Sequence, residues 1–125
     1  MNVLIDSSVW VEHFKNPNEL LSDLIEENLI VTHPLVITEV ACGTPNNKSG
    51  IIEEMKNLNK TEQATVDEVL EFIKRENLAG KGCGAVDIFL LASTIITGDT
   101  AIWTLDKNLK KLAERFNVLY QPKMH

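Results

Sequence analysis

The stretch Met1-Asn2-Val3-Leu4-Ile5-Asp6-Ser7-Ser8-Val9-Trp10-Val11-Glu12-His13-Phe14 decides the fold. Its apolar run, Val3-Leu4-Ile5, stops at Asp6-Ser7-Ser8 and resumes as Val9-Trp10-Val11. A short apolar run bounded this way predicts a buried strand, and Ser7 or Ser8 is the expected cap of the helix that follows. Asp6 then stands at the carboxyl end of a central strand, where open α/β sheets gather their ligands. The functional question is which other acidic residues arrive at the same edge.

Asn16-Pro17-Asn18 breaks the first helix, and Leu20, Leu21, Leu24 and Ile25 form one face of a second. Leu29-Ile30-Val31 predicts a second buried strand. Thr32-His33-Pro34 opens a helix over Pro34 to Cys42 that ends at Gly43, with Pro34 in the first turn. Pro45 to Lys48 is a loop, Ile51 to Leu58 a helix, and Asn57 to Lys60 includes a short strand. Thr65 to Asn77 carries an apolar stripe of Val66, Val69, Leu70 and Ile73. Leu78 to Gly84 is a glycine-rich connection, and Ala85 to Thr97 is apolar almost all round, which places that helix in the interior. Ala101 to Leu105 reads as a strand, Lys107 to Phe116 as a helix, and Asn117 to Tyr120 as an edge strand. Alternating strands and helices with right-handed crossovers give a three-layer α/β/α fold, a mostly parallel sheet of four to five strands flanked by helices. The length of 125 residues fits one domain over 1–125.

Three further acids occupy positions that an ordinary solvated role explains poorly. Glu39 shares a helix face with Leu35, Val36, Cys42 and Gly43, where a carboxylate needs a cation or a strong donor. Asp87 is the single charge in its apolar helix. The helix N-terminus offers it roughly 0.3–1 kcal/mol, and up to about 2 when partly buried, against several kcal/mol for burying an ion. Asp106 repeats the situation of Asp6, an acid between an apolar run and a helix; a plain N-cap is its simpler role. On the predicted sheet Asp6 and Asp106 leave by the same edge, and helix starts bring Glu39 and Asp87 near. Carboxylates sharing a site raise one another's pKa unless a cation is present. Oxygen ligands without paired thiols favour Mg²⁺ or Mn²⁺, and ions so held suit phosphoryl chemistry. Ser7 and Thr104 are candidates to orient water or phosphate, with capping and strand-end hydrogen bonds as the equal alternative.

Composition narrows the class. With 44% hydrophobic and 24% charged residues, the chain has ordinary globular usage. It has no run of transmembrane length and no secretory signal pattern, so a soluble, cytoplasmic protein without a membrane partner is expected. Cys42 and Cys83 do not form a zinc-type pair and read as reduced, near-core thiols. His13, His33 and His125 are scattered and read as caps or surface groups. A net charge of −6 argues against broad electrostatic binding of nucleic acid, but not against nucleic acid handled through cations. Lys107, Lys110, Lys111, Arg115 and Lys123 concentrate positive charge near the end of the chain, as a solvated helix face or a phosphate-facing patch.

Four stretches, in order and spanning essentially the whole chain, resemble PIN-domain ribonucleases, specifically the VapC-type toxins of prokaryotic toxin-antitoxin pairs. They are Leu4 to Val11, His33 to Glu39, Gly84 to Ala92 and Ile102 to Lys107. The resemblance implies a Mg²⁺ or Mn²⁺ site built from Asp6, Glu39, Asp87 and Asp106, with Asp6 shared by the metals. It further implies attack of water on an RNA phosphodiester leaving a 5′-phosphate and a 3′-hydroxyl, a homodimer, and a VapB-like antitoxin whose tail covers the site. Ser7 stands where threonine is frequent, and Phe89 where many relatives carry a polar residue. Two other classes compete. One is a non-catalytic metal-binding or regulatory module. The other is an aspartyl-phosphate phosphatase or receiver, disfavoured because Ser8 occupies the place of the phosphatase's second aspartate and no receiver-type acidic pair is found.

Overall fold

A computed structural model describes residues 1–43 and 49–122. The elements run β1 (Asn2–Ile5), α1 (Ser7–Lys15), α2 (Glu19–Glu26), β2 (Ile30–Thr32), α3 (Pro34–Gly43), α4 (Ser49–Lys56), β3 (Asn59–Lys60), α5 (Val66–Glu76), α6 (Ala85–Thr97), β4 (Thr100–Trp103) and α7 (Lys107–Arg115). The four strands form one sheet in the order β3-β2-β1-β4. Every pairing is parallel, with Leu4 opposite both Val31 and Ile102. The predicted edge strand is reduced to a single parallel bridge between Ile102 and Leu119, fastened by bonds from Ile102 N–H to the Val118 carbonyl and from Tyr120 N–H to Ile102. β1 is therefore central. Val3, Leu4 and Ile5 are buried, as a strand covered on both faces requires.

Local chemistry accounts for the helix ends. Asn18 caps α2 by accepting from Leu21 N–H. His33 Nδ1 accepts from Leu35 N–H at 3.0 Å, which starts α3 at Pro34. Thr65 and Glu68 form a reciprocal capping box on α5, and Asn77 ends it in the left-handed conformation.

Several expectations need correction. α1 is not capped by Ser7 or Ser8: Asp6 is the N-cap residue, with no side-chain cap bond, because both serine hydroxyls are committed elsewhere. The buried stripe of α5 is Val69 and Phe72, with Ile73 half-buried, while Val66 and Leu70 are 62% and 59% exposed. α6 is not interior all round; Leu90, Leu91, Ala92, Ser93 and Thr94 are buried, but Ile95 and Ile96 are exposed, lining an open hollow shared with α5. Cys42 is exposed rather than near-core, since the last turn of α3 leaves the core after Val40. His33 is a cap, but a buried one. The loop Pro45 to Lys48, Lys123 and His125 lie outside the described residues. No helix among the described residues is long and apolar enough to cross a membrane.

Candidate active site

β1 ends at Ile5, so Asp6 leaves the sheet at its centre, with its backbone N–H bonded to the Trp103 carbonyl of β4. The side chain is only 4% exposed. Two hydroxyls converge on one oxygen: Ser8 Oγ and Thr104 Oγ1 each donate to Asp6 Oδ2 at 2.7 Å. Both are themselves fixed, because Ser8 Oγ accepts from Leu105 N–H and Thr104 Oγ1 accepts from Asp106 N–H. Asp6 is thereby oriented from two sides, with Oδ1 left to face a ligand.

The other acids arrive by different routes. Glu39, in the middle of α3, accepts from Ser7 Oγ at 2.9 Å. Asp106 is the N-cap of α7, where its Oδ1 accepts from Leu109 N–H at 2.8 Å. Its simpler role is thus present, yet a second oxygen stays available. Asp87 lies in the first turn of α6, held by the Gly84 N–H.

Electrostatics shows how close the acids are. The Asp87 carboxyl is pushed up to about 6, first by burial and then by the charges of Asp6, Asp106 and Glu39. Among the described residues, no lysine or arginine pairs with any of the four. The sequence-predicted acids therefore do meet at one edge, as a set of negative charges without a side-chain counterion. Ser7 and Thr104 meet there too, but bonded to acids.

A model of the PIN domain matches residues 3–115. The chain belongs to the PIN domain family. Ribonuclease VapC32 of Mycobacterium tuberculosis strain CDC 1551 / Oshkosh is 39% identical over 108 residues, covering 86% of this chain and 87% of that protein. The same figures hold for Ribonuclease VapC32 of strain ATCC 25618 / H37Rv. This is a VapC-type PIN domain, and its parallel sheet flanked by helices is the α/β/α arrangement expected from the sequence.

Two residues of this PIN domain's site escaped sequence reasoning. Ser8 was assigned only to capping, although the hydroxyl two residues after Asp6 is in reach of it. Cys83 is the other. Its thiol lies with Asp87 and Asp106, one ligand atom of each within 4.8 Å of the others. Asp6 and Glu39 stand outside that tight trio and act on it at longer range. Cys83 sits on the connection before α6, and only the fold of that connection brings it in. Gly82 carries φ +82°, and a Cβ there would collide with the Asn108 side chain, whose amide donates to the Gly82 carbonyl. The glycine therefore locks the Cys83 segment against the start of α7.

Burial, Asp87 and Asp106 push the Cys83 thiol up to about 11. A protonated thiol is a poor ligand. The effective donors are carboxylate oxygens, two of them already aimed by hydroxyls, and such a set fits a hard divalent cation of the Mg²⁺ or Mn²⁺ kind.

Proposed function

We propose that this PIN domain, a single unit over 1–125, is a Mg²⁺- or Mn²⁺-dependent endoribonuclease. In this reading it is the toxin of a VapBC-type pair, acting in the cytoplasm. The observation that carries the proposal is the convergence of Asp6, Glu39, Asp87 and Asp106 on one edge of the sheet, with no basic side chain among the described residues paired to them. The identity to Ribonuclease VapC32 supports RNA as the substrate.

When bound, the cation neutralises charge on a phosphodiester and lowers the pKa of a water. The chain's own residues prepare for it. Ser8 and Thr104 fix Asp6 with Oδ1 free, Ser7 restrains Glu39, and the first turn of α7 restrains Asp106, so that little ordering remains to be done on binding. Asp87, whose carboxyl is pushed up to about 6, would have to lose its proton to serve as a ligand. Cleavage by water leaves a 5′-phosphate and a 3′-hydroxyl. A homodimer and a VapB-like antitoxin that covers the acids complete the reading.

The test is cleavage of single-stranded RNA by purified protein. Activity is expected with Mg²⁺ or Mn²⁺, and is expected to vanish with EDTA and in Asp6→Asn and Asp87→Asn variants whose circular dichroism matches the wild type. Equal cleavage by wild type and Asp87→Asn would identify a contaminating nuclease and overturn the proposal. Phosphate trapped covalently on Asp6 would favour the phosphatase class instead.

A further inference from the structure

We infer that the groove beside β4 is a nucleotide subsite, which seats one base of the RNA strand next to the scissile phosphate. This rests on the ribonuclease reading and extends it from the reacting bond to the strand around it. The groove has a volume of about 380 Å³ and opens at the carboxyl end of the sheet, between the start of α2, the end of β4, α7 and the segment after the Leu119 bridge. That volume falls in the range of small-molecule sites.

The floor and walls have the character a base requires. Tyr120, half-buried, lines the groove and is braced by the buried Trp103, ring centroids 5.3 Å apart. Leu105, 47% exposed, gives a second apolar wall one residue before Asp106. Stacking on an aromatic ring accepts every base, because each has a π-face, and differences in stacking strength give a modest base preference. Lys110 lines the same groove, exposed, and among the described residues forms no ion pair. It is a cation left free beside a negative site, in a chain of net charge −6. Asn18 and Gln121 supply amides at the rim.

Continuity with the acids makes this groove a subsite rather than an unrelated hollow. Thr104 forms part of its wall, and the Thr104 hydroxyl donates to Asp6 at 2.7 Å while accepting from Asp106 N–H. A strand whose phosphate lies at Asp6 and Asp106 has this groove beside it, apolar for a base and with Lys110 for the next phosphate. The hollows between α5 and α6 and between α1 and α4, of about 370 and 360 Å³, include no residue whose side chain is bonded to one of the four acids, whereas this groove has Thr104. Lys110 suits the next phosphate of such a strand, and a groove taken instead by a second copy of the chain would show as a change of oligomeric state.

The experiment is steady-state cleavage of a single-stranded RNA pool by full-length protein in Mg²⁺, with the cut ends mapped. Tyr120→Leu, which keeps apolar bulk, is expected to raise KM about tenfold with little change in kcat, and to flatten the base preference at one position flanking the cut. Tyr120→Phe should restore most of the affinity. Lys110→Gln, a surface change, should lower the dependence of log KM on log salt by about 0.7 without altering base preference. Wild-type cleavage with KM and preference unchanged in Tyr120→Leu would overturn the subsite alone. So would a changed oligomeric state on size exclusion with unchanged KM, which would assign the groove to an interface between copies. Absence of metal-dependent cleavage by the wild type would overturn the ribonuclease reading and the subsite with it.

Discussion

Asp87→Asn should make the metal-free protein more stable, and the size of the gain follows from the site. Burial and the three neighbouring acids carry the Asp87 carboxyl from an ordinary value near 3.8 to about 6. That corresponds to at most about 3 kcal/mol of penalty on the charged folded protein, and screening of a half-buried group brings it to about 1–2 kcal/mol. Because the folded carboxyl holds its proton more tightly than the unfolded one, stability falls as pH rises through the window from about 4 to about 6. The penalty is complete above that window and absent below it. Asparagine keeps the shape and can still accept from Gly84, so the variant should gain about 1–2 kcal/mol at pH 7.5 in EDTA, and almost nothing at pH 4. Urea unfolding followed by emission of the buried Trp10 and Trp103 measures this directly. Mg²⁺ should reverse the order: the wild type gains about 2.7 kcal/mol at a hundredfold excess over its Kd, whereas the variant has lost a ligand. A loss of stability at pH 7.5 in EDTA, or the same gain at both pH values, would refute the reasoning that the acids repel one another across an unneutralised site.

Three other outcomes are expected. Thr104→Val removes the hydroxyl that donates to Asp6 and accepts from Asp106 N–H; urea unfolding should show a loss of about 2 kcal/mol, and cleavage should fall at least about tenfold. Gly82→Ala forces a left-handed residue and a collision with Asn108, so it should cost about 1–2 kcal/mol. Adding Asn108→Ala should recover part of that cost, and strict additivity in a double-mutant cycle would count against the contact. In a Cys42→Ser background without metal, iodoacetamide should modify Cys83 slowly at pH 8.5, because its thiol lies near 11. Asp87→Asn removes one of the charges that raise it and should speed the reaction; an unchanged rate would show that burial alone holds the thiol.

Three of the four strands were legible in the sequence because they are short apolar runs that end at acids or caps, whereas β3, the exposed pair Asn59 and Lys60, has no such pattern. Val3-Leu4-Ile5 and Ala101-Ile102-Trp103 announce their own burial, and their acids follow immediately. Asp87 was legible for a related reason, as a charge in a segment too apolar to solvate it. What failed was the finer reading of helix faces. Val66 and Leu70 share the α5 period with Val69 and Ile73, but Phe72 has the larger surface to bury and turns the helix so that it goes inside. α6 looked interior because nearly all its side chains are apolar, and composition cannot say where its packing on α5 opens into the hollow lined by Ile95 and Ile96. Ser8 and Cys83 depend on tertiary contacts about a hundred residues and about twenty residues away in sequence respectively, to Leu105 and to Asp106. No local pattern encodes those distances.

The arrangement of the hydroxyls bears on how so much like charge is tolerated. Asp6 is the most buried of the acids, yet burial raises Asp87 while Asp6 receives two short bonds from Ser8 and Thr104. Burial and the charges of Asp6, Asp106 and Glu39 push the Asp87 carboxyl up to about 6, so the crowding of like charge acts on Asp87. Asp6 sits at the centre of the sheet, anchored by the core strand β1, and Asp87 sits half-buried in the first turn of α6. A cation held by these acids would have to displace the Asp87 proton below about pH 6. Cation binding is therefore expected to depend on pH through Asp87, with affinity falling about tenfold for each pH unit below about 6. Titration of Mg²⁺ binding by calorimetry between pH 5 and 8 reads it out, and an affinity flat across that range would show that Asp87 is not the proton the cation displaces.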